Sequence, residues 1–283
     1  MTDSPHPNPS HPSTTTRSAP NGALPDSAAL SAPSDAFMTA WKRGVILAGP
    51  YLFARSSPDA GPNSRRDLRP NVSLIHRAIG PKSPAERFFL AALVSCYDPE
   101  EGGLLLKRSG FHGCADFGRL DLARRTVLAA LVLHIKGACD FRIPDPLPTL
   151  DSLSDDSGGR SPWDAIAREE RHFAVAPEVF LTVWKRGVAL AGVHLFGESP
   201  HADLELATTK WDLCPKVRLI SCALRSLSPL EQLFISGLVS FYNAEDGGRL
   251  LKRAGFRGLI DLAPLSVPHR AVIAGLILNY TGW

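Results

Sequence analysis

A long internal repeat limits the folds open to this chain of 283 residues. AFMTAWKRGVILAGPYLF at 36–53 matches VFLTVWKRGVALAGVHLF at 179–196, at an offset of 143. KSPAERFFLAALVSCYD at 82–98 matches LSPLEQLFISGLVSFYN at 227–243, and VLAALVLHIKG at 127–137 matches VIAGLILNYTG at 272–282, both at an offset of 145. SCYDPEEGGLLLKRSGFHG at 95–113 and SFYNAEDGGRLLKRAGFRG at 240–258 share twelve of 19 positions. A repeated unit of roughly 100 residues is too long for a solenoid and predicts a duplicated domain.

The segments outside the repeat differ in composition. Residues 1–34 are rich in Pro, Ser and Thr and poor in large apolar groups, so they cannot bury enough surface to offset ordering entropy; a disordered tail is expected. The stretch IPDPLPTLDSLSDDSGGRSP reads as a linker. The expected organisation is a tail over 1–34, a first domain over 35–140, a flexible linker over 141–172 and a second domain over 173–283. The first domain carries 15 basic and 10 acidic side chains, the second 11 and 9, and the linker 4 and 7. Each domain is mildly basic around an acidic joint, without the dense basic face of a dedicated nucleic-acid binder.

Within each copy the periodicity is helical, with no alternating strand pattern. Phe37, Trp41, Val45 and Ala48 recur at spacings of four and three, which predicts a first helix; Pro177 stands where an N1 proline would open its counterpart. Ser83-Pro84-Ala85-Glu86 and Ser228-Pro229-Leu230-Glu231 are capping boxes and set the start of a second helix. Two consecutive glycines favour chain reversal, so this helix is expected to stop before Gly102-Gly103 and Gly247-Gly248. A short helix over LLLKRSG or RLLKRAG follows, closed by Gly110 or Gly255, and the last helix covers LARRTVLAALVLHI or VPHRAVIAGLILNY. The predicted fold class is all-α, as two tandem bundles of about four helices each.

The duplicated acidic, Gly-Gly, basic segment invites specific chemistries, and its spacing excludes two of them. A calcium loop starting at Asp98 needs an oxygen ligand at position five and Glu at twelve, but finds Gly102 and Ser109. A phosphate-cradling P-loop needs Lys then Ser or Thr directly after its last glycine, and here Leu-Leu-Leu or Arg-Leu-Leu intervenes. Zinc would draw on Cys96, Cys114, Cys139, His76, His112 and His134. In the sister copy, however, Cys96 becomes Phe241, Cys114 becomes Leu259 and His134 becomes Asn279, which marks core positions. No GxSxG elbow occurs, and no Cys and His pair sits at matching positions in both copies. No cofactor, metal or catalytic activity is therefore expected.

The second copy, at FYNAEDGG followed by IDLAPL and a final apolar helix, resembles a small uncharacterised helical domain family of proteobacterial plasmids and mobile elements. Phe234 to Gly248 and Asp261 to Leu265 carry the likeness, and Phe89 to Gly103 with Asp116 to Leu122 carry a weaker one. The LLKRAGFRG insertion departs from the family pattern. The resemblance implies an accessory protein of a mobile element and brings no activity with it.

The expected function is a non-catalytic interaction module for a protein partner. Its contact residues would be those both copies keep around the Gly-Gly pair, namely Lys107, Arg108, Lys252 and Arg253, with Arg257, Glu100 and Glu245. One alternative is a DNA- or RNA-binding plasmid regulator that uses the second helix and the LLKR helix as a helix-turn-helix. Another is a secreted bacterial effector with its export signal in the tail. No run approaches 18 uncharged apolar residues and no basic segment leads into an apolar stretch at the start, so no membrane association and a cytoplasmic location are expected.

Overall fold

The structure, a computed structural model, describes residues 35–53, 67–135, 162–197 and 203–282. The tail expected over 1–34, residues 141–161 of the expected linker, and Cys139 lie outside the described residues. Among those described there is no strand; the only β contacts are the isolated bridges Phe53–Pro70 and Phe196–Pro215. No described helix is long and apolar enough to cross a membrane.

The first half comprises α1 (Asp35–Ala48), α2 (Val72–Ala78), α3 (Pro84–Tyr97), α4 (Pro99–Arg108) and α5 (Leu122–His134). The second comprises α6 (Pro162–Ala191), α7 (Val217–Ala223), α8 (Pro229–Tyr242), α9 (Ala244–Arg253) and α10 (Val267–Asn279). Short 3-10 turns, Cys114–Arg119 and Leu259–Leu262 among them, connect these elements. The α2 and α7 helices are additions to the four expected per half.

Both capping boxes form as their spacing predicts: Glu86 N donates to Ser83 Oγ and Ser83 N to Glu86 Oε2, and Ser228 with Glu231 does the same. These bonds hold both glutamate carboxyls below their usual range, with the serine hydroxyl as the first cause. Trp41 and Trp184 are core anchors. Each indole N–H donates to a carbonyl, of Leu68 at 3.2 Å and of Leu213 at 3.3 Å, and each ring stacks on its neighbour Phe37 or Phe180. Three residues later, Gly44 and Gly187 let the first helix of each half close onto Leu93 and Leu238.

Three expectations are corrected. The second helix does end at Tyr97 or Tyr242, but the stop is Asp98 or Asn243 and not the glycine pair. Each of these residues donates its N–H back to Val94 O or Val239 O, while its side chain accepts from the first N–H groups of the next helix. One residue thus closes one helix and opens another, and Gly102-Gly103 and Gly247-Gly248 lie inside α4 and α9. Pro177 lies inside α6 instead of at its start. Residues 162–172, expected in the linker, are the first turns of that 30-residue helix.

The described helices belong to one compact unit and share a continuous apolar core. At its centre α5 and α10 run antiparallel. Arg125 in the first turn of α5 donates to Tyr280 O just beyond the end of α10, and Arg270 in the first turn of α10 donates to Leu133 O in the last turn of α5 at 2.7 Å. Each guanidinium faces the carbonyl end of the opposing helix, where the backbone dipoles favour a cation. The added turns of α6 strap this pair. Glu169 Oε1 accepts from Leu122 N at the start of α5, His172 Nε2 lies 3.2 Å from Leu278 O near the end of α10, and the Phe173 ring receives Arg125 at 5.1 Å. Burial is the first cause that lowers both the Arg125 and the His172 pKa.

Candidate functional site

The duplicated segment forms a reciprocal clasp between the halves. Ser95 Oγ, near the end of α3, accepts from Leu259 N at 3.0 Å; Ser240 Oγ, near the end of α8, accepts from Cys114 N at 3.0 Å. Each serine hydroxyl also donates to a carbonyl one turn earlier, Ala92 O or Gly237 O at 2.8 Å, so both hydroxyls are doubly satisfied at zero exposure. The loop that brings each N–H is shaped by an aspartate. Asp116 Oδ2 accepts from His112 N and Gly113 N, and Asp261 Oδ2 from Arg257 N and Gly258 N.

The glycines exist for proximity. A Cβ on Gly102 or Gly247 would stand under 3.0 Å from the backbone of Ser95 or Ser240, so these two seat α4 against α3 and α9 against α8. A Cβ on Gly103 would meet Arg257 O at 2.7 Å, and one on Gly248 would collide with His112 O; this second pair seats the opposite half's loop. Gly113 and Gly258 complete the fit, with Cβ positions 2.8 Å from Ala244 O and 2.6 Å from Ser95 Cβ. Phe111 and Phe256, which follow the left-handed Gly110 and Gly255 at φ 78° and 80°, meet each other with ring centroids 6.1 Å apart.

This clasp positions the expected contact residues. The Phe111–Phe256 contact joins the loops that follow α4 and α9, and Lys107, Arg108, Lys252 and Arg253 lie in the last turns of those two helices. All four are exposed. Arg108 reaches His76 Nδ1 at 2.8 Å while His76 Nε2 lies 3.1 Å from Glu101; Arg253 donates to Ser221 Oγ at 2.7 Å. The arginines thus stitch α2 to α4 and α7 to α9, and the Lys107 and Lys252 ammoniums stay without a side-chain partner among the described residues. Arg257 is exposed and pairs with Asp261 at 3.5 Å. Glu100 and Glu245 stand apart from the basic group, in the first turns of α4 and α9 and about 10 Å along the helix axis from Lys107 and Lys252. Glu245 pairs with Arg249 at 3.3 Å.

Among the described residues, the side chains considered for zinc do not assemble. Cys96 and Cys114 are buried, His76 is engaged by Arg108 and Glu101, and no group of three or more His, Cys, Asp or Glu able to hold a metal occurs among the described residues. Burial pushes the Cys114 thiol up to about 12, which keeps it a thiol at neutral pH.

Sequence reasoning passes over Ser95, Ser240, Arg125 and Arg270, although each pair recurs at an offset of 145 and the two serines do so within apolar runs. A polar residue kept twice among leucines and valines was the available signal. Replacing Ser240 with Ala leaves Cys114 N buried without an acceptor and is expected to cost about 1–3 kcal/mol. Urea unfolding measures the loss, and hydrogen exchange should quicken at the Cys114 amide ahead of amides in α1.

Comparison with protein-family models, curated proteins and solved structures gives no match to this chain.

Proposed function

We propose that this protein is a non-catalytic interaction module whose duplicated halves, joined as one body, present a basic edge to an acidic protein partner. The supporting observation is that the exposed Lys107 and Arg108 end α4, the exposed Lys252 and Arg253 end α9, and the loops directly after these ends meet at Phe111 and Phe256. Two like-charged helix ends carried on one body give a partner two contacts, so the second forms without further loss of translational freedom. The partial likeness to mobile-element domains makes a cytoplasmic accessory protein of such an element the setting we favour.

A protein partner is preferred to nucleic acid for a geometric reason. A helix-turn-helix joins its helices through a three- or four-residue turn and directs the N-terminal residues of the second helix at base edges. Here α3 and α4 share Asp98 as their only joint, and the first turn of α4 carries Glu100 and Glu101, whose carboxylates repel phosphate.

Capture from host-cell lysate by the tagged protein tests the reading, with bound proteins identified by mass spectrometry. Lys107→Ala with Lys252→Ala should release the acidic partners without altering the melting temperature, because neither side chain supports the fold. Adding Arg108→Ala and Arg253→Ala should abolish capture. Unchanged capture by the fourfold variant would refute this surface, and a salt-sensitive gel shift with duplex DNA would replace the protein reading.

A further inference from the structure

We propose that the face each half buries against the other also accepts a second copy of this chain, so that two chains exchange halves into a dimer with two clasps. Every element of the clasp is present twice and is used reciprocally. Each half supplies one serine acceptor, Ser95 or Ser240, and one loop N–H, Leu259 or Cys114. Each supplies one helix glycine that receives the other's carbonyl, Gly103 for Arg257 O and Gly248 for His112 O. Phe111 meets Phe256, and Arg125 and Arg270 each donate to the last carbonyls of the opposing helix. Such an interface is isologous in kind, the same patch on both sides, and it does not record whether its two sides belong to one chain. Closed monomer and exchanged dimer therefore contain the same buried contacts. The choice between them falls to the connecting chain and to concentration.

Geometry shows what the connection must span. Leu122 to Ile135 is 13 residues of rise, so Ile135 lies about 20 Å from the start of α5, where Glu169 docks. From Glu169 onward α6 runs beside α10 in the opposite sense, with Phe180 at Tyr280 and Gly187 at Val272, so its first turns project away from Ile135. Pro162 is a further ~10 Å out, and the monomer must bridge roughly 30 Å. Residues 136–161 reach this easily. A tether of that kind holds the halves at an effective concentration on the order of millimolar, so the closed monomer dominates at micromolar protein.

The test shortens the tether below the span. Deleting residues 138–167 leaves Lys136, Gly137 and Arg168 between Ile135 and Glu169, a reach of about 14 Å against the ~20 Å required. The removed part of α6 that the structure describes is exposed at Asp164, Ala165, Ile166 and Ala167. The shortened chain should keep its helical circular dichroism and elute at twice its own mass in light scattering at every concentration tested. A folded, monomeric deletion variant would overturn the proposal.

Full-length chains with two different tags give the independent measurement should the deletion variant fail to fold. Mixed while folded, they should not be captured together. Unfolded in urea and refolded together near millimolar concentration, they should co-purify at twice the 30.5 kDa chain mass, while refolding at micromolar concentration returns monomers. Refolded material that is monomeric even near millimolar would also overturn the exchange.

Discussion

Replacing Gly247 with Ala should cost about 3 kcal/mol or more, although alanine is the better helix former by about 1 kcal/mol at an ordinary helix interior. The reason is steric. Gly247 lies inside α9 with its missing Cβ aimed at the Ser240 backbone, closer than 3.0 Å, and backbone cannot turn aside as a side-chain terminus can. Relief requires α9 to lift from α8, which breaks the Phe256 and Arg257 loop contacts as well. Gly248→Ala should be equally damaging through a different contact, since its Cβ would strike His112 O from the other half. Gly80→Ala is the control: nothing lies within 4 Å of a Cβ there, so stability should change by less than about 0.5 kcal/mol. Urea unfolding of the three variants decides. A neutral Gly247→Ala would mean that the α8–α9 approach is not as described.

Arg125→Met should be the next most damaging change, at about 3–5 kcal/mol. Arg125 is 4% exposed and its guanidinium donates to Leu120 O, to Gly118 O and across the halves to Tyr280 O, so its removal strands three carbonyls at once. Methionine replaces much of the volume and none of the donors. Arg125→Lys should recover only a small part, because one ammonium cannot meet three acceptors arranged for the planar fork. Phe173, which stacks under Arg125, should become more accessible in both variants, so proteolysis near the start of α6 provides a second readout. A loss under about 1 kcal/mol for Arg125→Met would show that these carbonyls are satisfied in another way.

The two substitutions fall on features that differ in how visible they are from the residues alone. Capping boxes at Ser83 and Ser228 were legible because they are local, with donor and acceptor three residues apart. The tryptophan anchors, the C-terminal Gly110 and Gly255, and the apolar last helices were legible for the same reason. The glycine pair reads as a break because glycine favours turns, yet in the fold its first member lets consecutive helices touch and its second receives a loop carbonyl of the other half. The linker expectation runs eleven residues too far, into α6, because five of the eight residues from Asp164 to Arg171 are charged. That segment becomes helical through Glu169, His172 and Phe173, whose partners lie at Leu122, Leu278 and Arg125.

By itself the sequence determined an all-helical chain, the position of most helix starts and stops, and the twofold use of one pattern, since each depends on hydrogen bonds and apolar spacing within a few residues. Only the tertiary structure decided that the halves are one body and that Gly-Gly is a clasp instead of a turn. It also decided that Arg108 and Arg253 are tied down while Lys107 and Lys252 stay exposed. These outcomes rest on contacts between residues more than a hundred positions apart, such as Ser95 with Leu259 and Cys114 with Ser240, and local propensity carries no information about which distant surface will fill a space.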